Sequence, residues 1–101
     1  MTRIYLCGPM TDLPAYNYPA FHAEAARLRA LGWHVENPAE NPAQESWSDY
    51  LRVALTQMLT CDMVALLPGW ESSEGATLEV HVASALSIEY LPSAEIDCGP
   101  E

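Results

Sequence analysis

The run Met63-Val64-Ala65-Leu66-Leu67-Pro68-Gly69-Trp70-Glu71-Ser72-Ser73-Glu74-Gly75-Ala76-Thr77-Leu78-Glu79 decides the fold. Its first five residues are all apolar and stop at Pro68-Gly69, the pattern of a strand buried on both faces. A turn-rich loop follows and leads into a helix that starts near Gly75. On that helix Val82, Ala83 and Leu86 stand three, four and seven places after Glu79 and share its face, so the glutamate is expected to point into packed structure. A buried, unpaired carboxylate is costly, and proteins keep one where it is hydrogen-bonded or has chemistry to perform. The free N–H groups and positive dipole end of a helix's first turn reduce that cost. An ordinary first-turn glutamate is the competing reading of the same position.

The elements on either side follow the same alternation. Arg3-Ile4-Tyr5-Leu6-Cys7 is a short buried strand stopped by Gly8-Pro9. A helix is expected over residues 19–31, with Phe21, Ala25 and Leu28 on one stripe and Gly32 as its C-terminal cap. Residues 33–36 form the second strand, followed by the loop Asn37-Pro38-Ala39-Glu40-Asn41-Pro42-Ala43-Gln44, a doubled N-P-A-x too short to be a structural repeat. A second helix begins near Ser46 or Ser48 and turns Leu51, Leu55, Met58 and Leu59 toward the sheet. Asp62, just before the third strand, is expected to hold backbone N–H groups. The last strand covers residues 88–91. Residues 1–91 thus make one domain, and 92–101 are a polar tail expected to fray. The alternation implies an α/β fold: a small doubly wound, flavodoxin- or Rossmann-like sheet of four parallel strands in the order 2-1-3-4, with helices on both faces. Ligands in such sheets sit beyond the carboxyl ends of the strands where the order reverses, here between strands one and three. The loops at that point are Gly8-Pro9-Met10 and residues 68–75.

Composition narrows the function. The chain has 101 residues, half of them apolar, enough for one modest core. Fourteen acidic residues face four arginines (Arg3, Arg27, Arg29, Arg52) and no lysine, a formal charge of −10. A nucleic acid polymer or an anionic membrane needs a clustered basic surface, so neither is an expected partner. With no apolar run of membrane-spanning length and no leader-like N-terminus, the expected location is cytoplasmic. Cys7, Cys61 and Cys98 contain no C-x-x-C pair and read as reduced thiols, the first two as small core residues. His22, His34 and His81 form no ligand pattern, so neither a metal nor another cofactor is expected.

Five pieces belong together: Tyr5-Leu6-Cys7-Gly8-Pro9-Met10-Thr11, Asn17-Tyr18-Pro19-Ala20-Phe21, Asn37-Pro38-Ala39-Glu40, Cys61-Asp62 and Gly75-Ala76-Thr77-Leu78-Glu79. As an ordered set covering residues 3–91 they resemble the nucleoside 2-deoxyribosyltransferase superfamily, especially its short bacterial and phage branch. The resemblance implies cleavage or transfer at the N-glycosidic bond of a (deoxy)nucleoside or its 5′-monophosphate. Glu79 would be the nucleophile and form a glycosyl-enzyme ester. Tyr5 matches a tyrosine that orients the nucleophile, and Gly8 a glycine that lets the first loop approach the sugar. Ser73 matches a position used for the phosphate in some relatives, with Pro9, Met10, Ser72 and Gly75 completing the substrate loops. Each residue also has a plainer use: Tyr5 as packing, Gly8 as a tight turn, Ser73 as a helix cap.

One departure is visible. Active relatives carry an aspartate eight residues before the position of Asp62, where this chain has Ala54. An acid such as Asp49, Glu71 or Glu74 would have to substitute, or the activity is weak, or the protein is a catalytically silent nucleotide-binding or sensor module. A homodimer or larger homo-oligomer is also expected, because Trp47, Tyr50, Trp70 and Tyr90 are more large aromatics than loops and termini normally leave in water.

Overall fold

The computed structural model describes residues 2–101. Its layers are set by strand β1 (Arg3–Cys7), which is apolar on both faces and alternates its side chains between two cores. Ile4 and Leu6 pack against Phe21, Ala25 and Leu28 of helix α1 (Tyr18–Ala30). Tyr5 and Cys7 point the other way, against Ala54 and Met58 of α2 (Trp47–Leu59) and Ala76, Val80 and Ala83 of α3 (Glu74–Ala85). Strand β3 (Met63–Leu66) repeats the alternation, with Met63 and Ala65 on the α1 side and Val64 and Leu66 on the α2–α3 side.

Strand β2 (His34–Glu36) pairs with β1, and β4 (Glu89–Pro92) pairs with β3. All pairings are parallel, in the order β2-β1-β3-β4, which is the expected α/β fold. From β1 the chain moves outward to β2, then returns past β1 to β3 and on to β4. Right-handed crossovers in opposite directions require helices on opposite faces, hence α1 on one side and α2 and α3 on the other. The reversal leaves a cleft above the carboxyl ends of β1 and β3.

Local chemistry ends each helix. Gly32, at φ 105°, closes α1: its N–H bonds the carbonyl of Arg29, and that of Trp33 bonds Leu28, a paired 5→2 and 6→1 closure. Ser46 caps α2 by accepting from the Asp49 N–H, and Ser73 caps α3 by accepting from Ala76. Asp62 accepts from the backbone N–H of Arg3 at 2.8 Å, the role expected of it.

Two expectations are corrected. On α2 and α3 the expected Leu51, Met58 and Ala83 are buried, but Leu59 and Leu86 are about half exposed, and Ala54 and Ala76 fill buried positions instead. Alanines at those positions let two helices share one face of a narrow sheet, which larger side chains would prevent. The terminal segment is also docked rather than frayed. Ile96 joins the α1-side core, and the Arg27 guanidinium donates to the carbonyls of Ser93 and Ile96. The Trp33 indole N–H bonds the carbonyl of Cys98. Among the described residues no helix is long and apolar enough to cross a membrane.

Gly8 and Gly75 predict opposite outcomes for one substitution. A Cβ on Gly8 would lie 2.7 Å from the Cβ of Leu67 and 3.3 Å from Phe21 Cζ, against backbone-fixed packing. Gly8→Ala should therefore cost about 1–3 kcal/mol. A Cβ on Gly75 meets only Leu51 Cδ2, at 3.7 Å, in the first turn of a helix. Gly75→Ala should be neutral or stabilising by up to ~1 kcal/mol. Denaturant melts of both variants check the contrast.

Candidate active site

Strand parity and helix periodicity bring two residues 74 positions apart into one hydrogen bond. Tyr5 is on the α2–α3 face of β1, and Glu79 is on the inward face of α3, one turn beyond Ala76. The Tyr5 hydroxyl donates to Glu79 Oε2 at 2.6 Å. Burial first, and the adjacent Glu79 second, push the Tyr5 phenol well above its usual range, so it remains a donor. Glu79 is 6% exposed. Burial raises its carboxyl from 4.5 to about 7, against the opposing pull of Tyr5 and then Cys7. The Cys7 thiol has a single proton, and it points at the Ala76 carbonyl at 3.6 Å, so its hold on Glu79 is secondary to that of Tyr5. Among the described residues the one fully buried side-chain polar atom without a partner is Arg3 Nε. Glu79 Oε1, which accepts no hydrogen bond, is therefore the oxygen that opens onto the cavity.

That cavity is a throat of about 40 Å³ beyond the carboxyl end of β1, walled by Tyr5, Gly8, Met10, Tyr50, Ser73, Gly75 and Glu79 among others. It has room for about three waters. Outside it lies a groove of about 610 Å³ between the loop after β1 and the start of α3, lined by Pro9, Asp12, Leu13, Ser72 and Glu74. Thr11, Trp47, Ser73 and Gly75 belong to both, so the throat and the groove form one continuous depression. The loop on its rim holds Asp12, Ala15, Tyr16 and Asn17 in left-handed backbone, at φ 52° to 67°. Such conformations cost energy in non-glycine residues and persist where neighbours hold them. Asn17 does so here, donating its amide to the carbonyl of Pro9 at 3.0 Å.

All eight residues singled out from the sequence line this depression: Tyr5, Gly8, Met10 and Glu79 the throat, Pro9 and Ser72 the groove, Ser73 and Gly75 both. Two carry structural duties as well. The open face of Gly8 is turned to Leu67 and Phe21, so β-strand packing alone demands a glycine there. Ser73 spends its oxygen on the α3 cap. Ala54 is fully buried and is not part of the cavity wall. Asp49 and Glu71 also line neither space, while Glu74 reaches only the outer groove.

Trp47, Tyr50, Thr11 and Asp12 were not read as site residues from the sequence. For the two aromatics the available signal was their position at the start of α2, which points to the same sheet end as the β1 loop. The Tyr50 hydroxyl bonds Met10 Sδ at 2.9 Å, and burial first and Glu79 second raise its phenol above the usual range. Among the described residues no group of three or more His, Cys, Asp or Glu is arranged to hold a metal ion.

The chain belongs to the family described as a domain of unknown function (DUF4406), whose pattern matches residues 2–91. A solved structure described as a conserved protein from Enterococcus faecalis V583 is similar to it, with 27% identity and a TM-score of 0.68. The likeness covers 89% of this chain and 61% of that one, so this chain spans less than two thirds of that protein's length. No curated protein matches the chain significantly.

The buried carboxyl gives a pH-dependent stability of unusual sign. Below about pH 4.5 Glu79 is protonated folded or unfolded and contributes nothing. Between there and about 7 the unfolded chain releases a proton that the folded chain keeps, so stability falls as pH rises. Above 7 the full cost is present, on the order of 3 kcal/mol. Glu79→Gln should thus melt several degrees above the native protein at pH 8 and level with it at pH 4, by calorimetry or circular dichroism.

Proposed function

We propose that this DUF4406 member cleaves or transfers at the N-glycosidic bond of a (deoxy)nucleoside or nucleotide, with Glu79 as nucleophile. The observation that carries the reading is the asymmetry of the Glu79 carboxyl. One oxygen is held by Tyr5 at 2.6 Å, and the other faces a cavity at the switch point of the sheet. A carboxylate fixed on one side and free on the other has the form a glycosyl-accepting nucleophile requires. Oε1 attacks C1′, the bond from C1′ to the base nitrogen breaks, and the glycosyl ester is resolved by water or a second base. Tyr5 orients the attacking group and disperses its charge in the ground state. The sugar sits at the mouth of the throat, and the base lies toward Trp47 and the outer groove.

A second reading, a binding or sensing module without turnover, draws on the narrowness of the throat and on the absence of a second carboxyl from its wall. Free-base release separates the two. Under the enzyme reading Glu79→Gln binds nucleoside but releases no base, as followed by chromatography. Because attack needs the carboxylate, kcat/KM of the native protein should rise as pH increases through about 7. Tyr5→Phe removes a hydrogen bond that favours the ionised form and should move that limb to higher pH, with kcat reduced roughly tenfold. Native protein that binds nucleosides and never releases base would establish the binding reading instead.

The same proposal includes a homo-oligomer. Of the four aromatics noted in the sequence, Trp47 and Tyr90 stay exposed and Tyr50 and Trp70 are half-buried. Light scattering should give a mass at least twice 11.1 kDa at micromolar concentration.

A further inference from the structure

Three features of the depression bear on which nucleoside it takes. The first is proton supply. Glu79 is the one carboxyl on the throat wall, and as nucleophile it has no proton to give. Ala54 is sealed in the core, and the Tyr50 hydroxyl is directed to Met10 Sδ. A neutral purine departs poorly without a proton donor, and a positioned one typically contributes ~10²- to 10⁴-fold. A base that already carries a positive charge needs none.

The second feature is charge. The outer groove bears Asp12 and Glu74, both exposed, and no arginine lines either space. Arg3, Arg27 and Arg29 are paired with Glu36, Glu24 and Glu40 elsewhere on the molecule. A phosphate in the groove would meet two carboxylates within a field of net charge −10, whereas a cation would be drawn in. The third is the aromatic wall. Trp47 spans throat and groove and is 52% exposed, with Tyr50 beside it. Aromatic faces flanked by carboxylates recognise a flat cation.

We propose that the site takes nucleosides whose base is cationic and whose sugar carries no phosphate, the chemistry shared by quaternary pyridinium ribosides and N7-alkylated purine nucleosides. The proposal rests on the N-glycosidase reading and names its substrate class. Glu79 Oε1 forms a bond to C1′ as the bond from C1′ to nitrogen breaks, and the electron pair of that bond neutralises the base, which leaves uncharged. Water then adds its oxygen to C1′, the ester bond returns its pair to the Glu79 carboxylate, and one proton goes to solvent.

The test compares release of base from nicotinamide riboside, 7-methylguanosine, adenosine and nicotinamide mononucleotide. The two cationic nucleosides should exceed adenosine in kcat/KM by ~10²-fold or more. Nicotinamide mononucleotide should show a higher KM than its riboside. In the paired variant Asp12→Asn with Glu74→Gln, both at exposed positions, KM for nicotinamide riboside should rise roughly three- to tenfold, and the gap to the mononucleotide should narrow. Adenosine turned over as fast as nicotinamide riboside, through Glu79, would overturn the charge preference and leave the glycosidase reading standing. An unchanged KM in the paired variant would likewise remove the groove carboxylates from recognition. If none of the four releases its base, the cationic-substrate proposal falls, and release of base from 2′-deoxyadenosine or 2′-deoxycytidine then decides whether the glycosidase reading stands or falls with it.

Discussion

Double burial of the two central strands is the constraint from which the rest of this small structure follows. β1 and β3 present apolar side chains to both faces, so helices must cover both. With four parallel strands and right-handed crossovers, that coverage is met by placing α1 on one side and α2 and α3 on the other. The chain then has to reverse direction across the sheet. The reversal makes the loops after β1 and before α3 diverge, and the depression lies between them. Position of the site is thus a consequence of covering the core.

The same core imposes a cost on the site. Glu79 sits in the α2–α3 layer among alanines, Val80 and Cys7, where a charge is poorly solvated. One short hydrogen bond from a strand tyrosine offsets part of that cost, and the cavity side supplies what solvation remains. The result is a carboxyl near its midpoint at neutral pH, ionisable yet held in place. A more polar pocket would have produced an ordinary glutamate, and a fully closed one a permanently protonated group.

Charge distribution complements this arrangement. Arg3, at the opposite end of the sheet, and Arg27 and Arg29, on α1, are each tied to a glutamate, while Arg52, exposed on α2, lines neither space. The depression is left to carboxylates, hydroxyls and aromatic rings. An acidic chain could have spread its few cations evenly; this one keeps them out of the cleft, and the local field there is correspondingly negative.

Much of this was already decided by the amino-acid sequence. β1 runs over the expected residues, the helices begin and end within a residue or two of their cap signals, and the parallel strands stand in the expected order. Those are local or rule-bound properties: apolar runs, Ser46 and Ser73 as caps, Gly32 as a left-handed closure. Glu79 was legible as an inward acid because helical periodicity is itself local. Other features depended on contacts between distant segments. Leu59 on α2 and Leu86 on α3 look inward from helical period alone yet end about half exposed, because the close approach of the two helices favours alanine at their shared face, which no single helix reveals. Gly8 reads as a substrate glycine until Leu67 is found against it. Residues 92–101 look free until Ile96 and the carbonyls that accept from Arg27 are found on α1. The walls supplied by Trp47, Tyr50, Asp12 and Glu74 come from three different segments. A cavity wall has no periodicity along the chain, so only the assembled tertiary structure could bring those residues to Glu79.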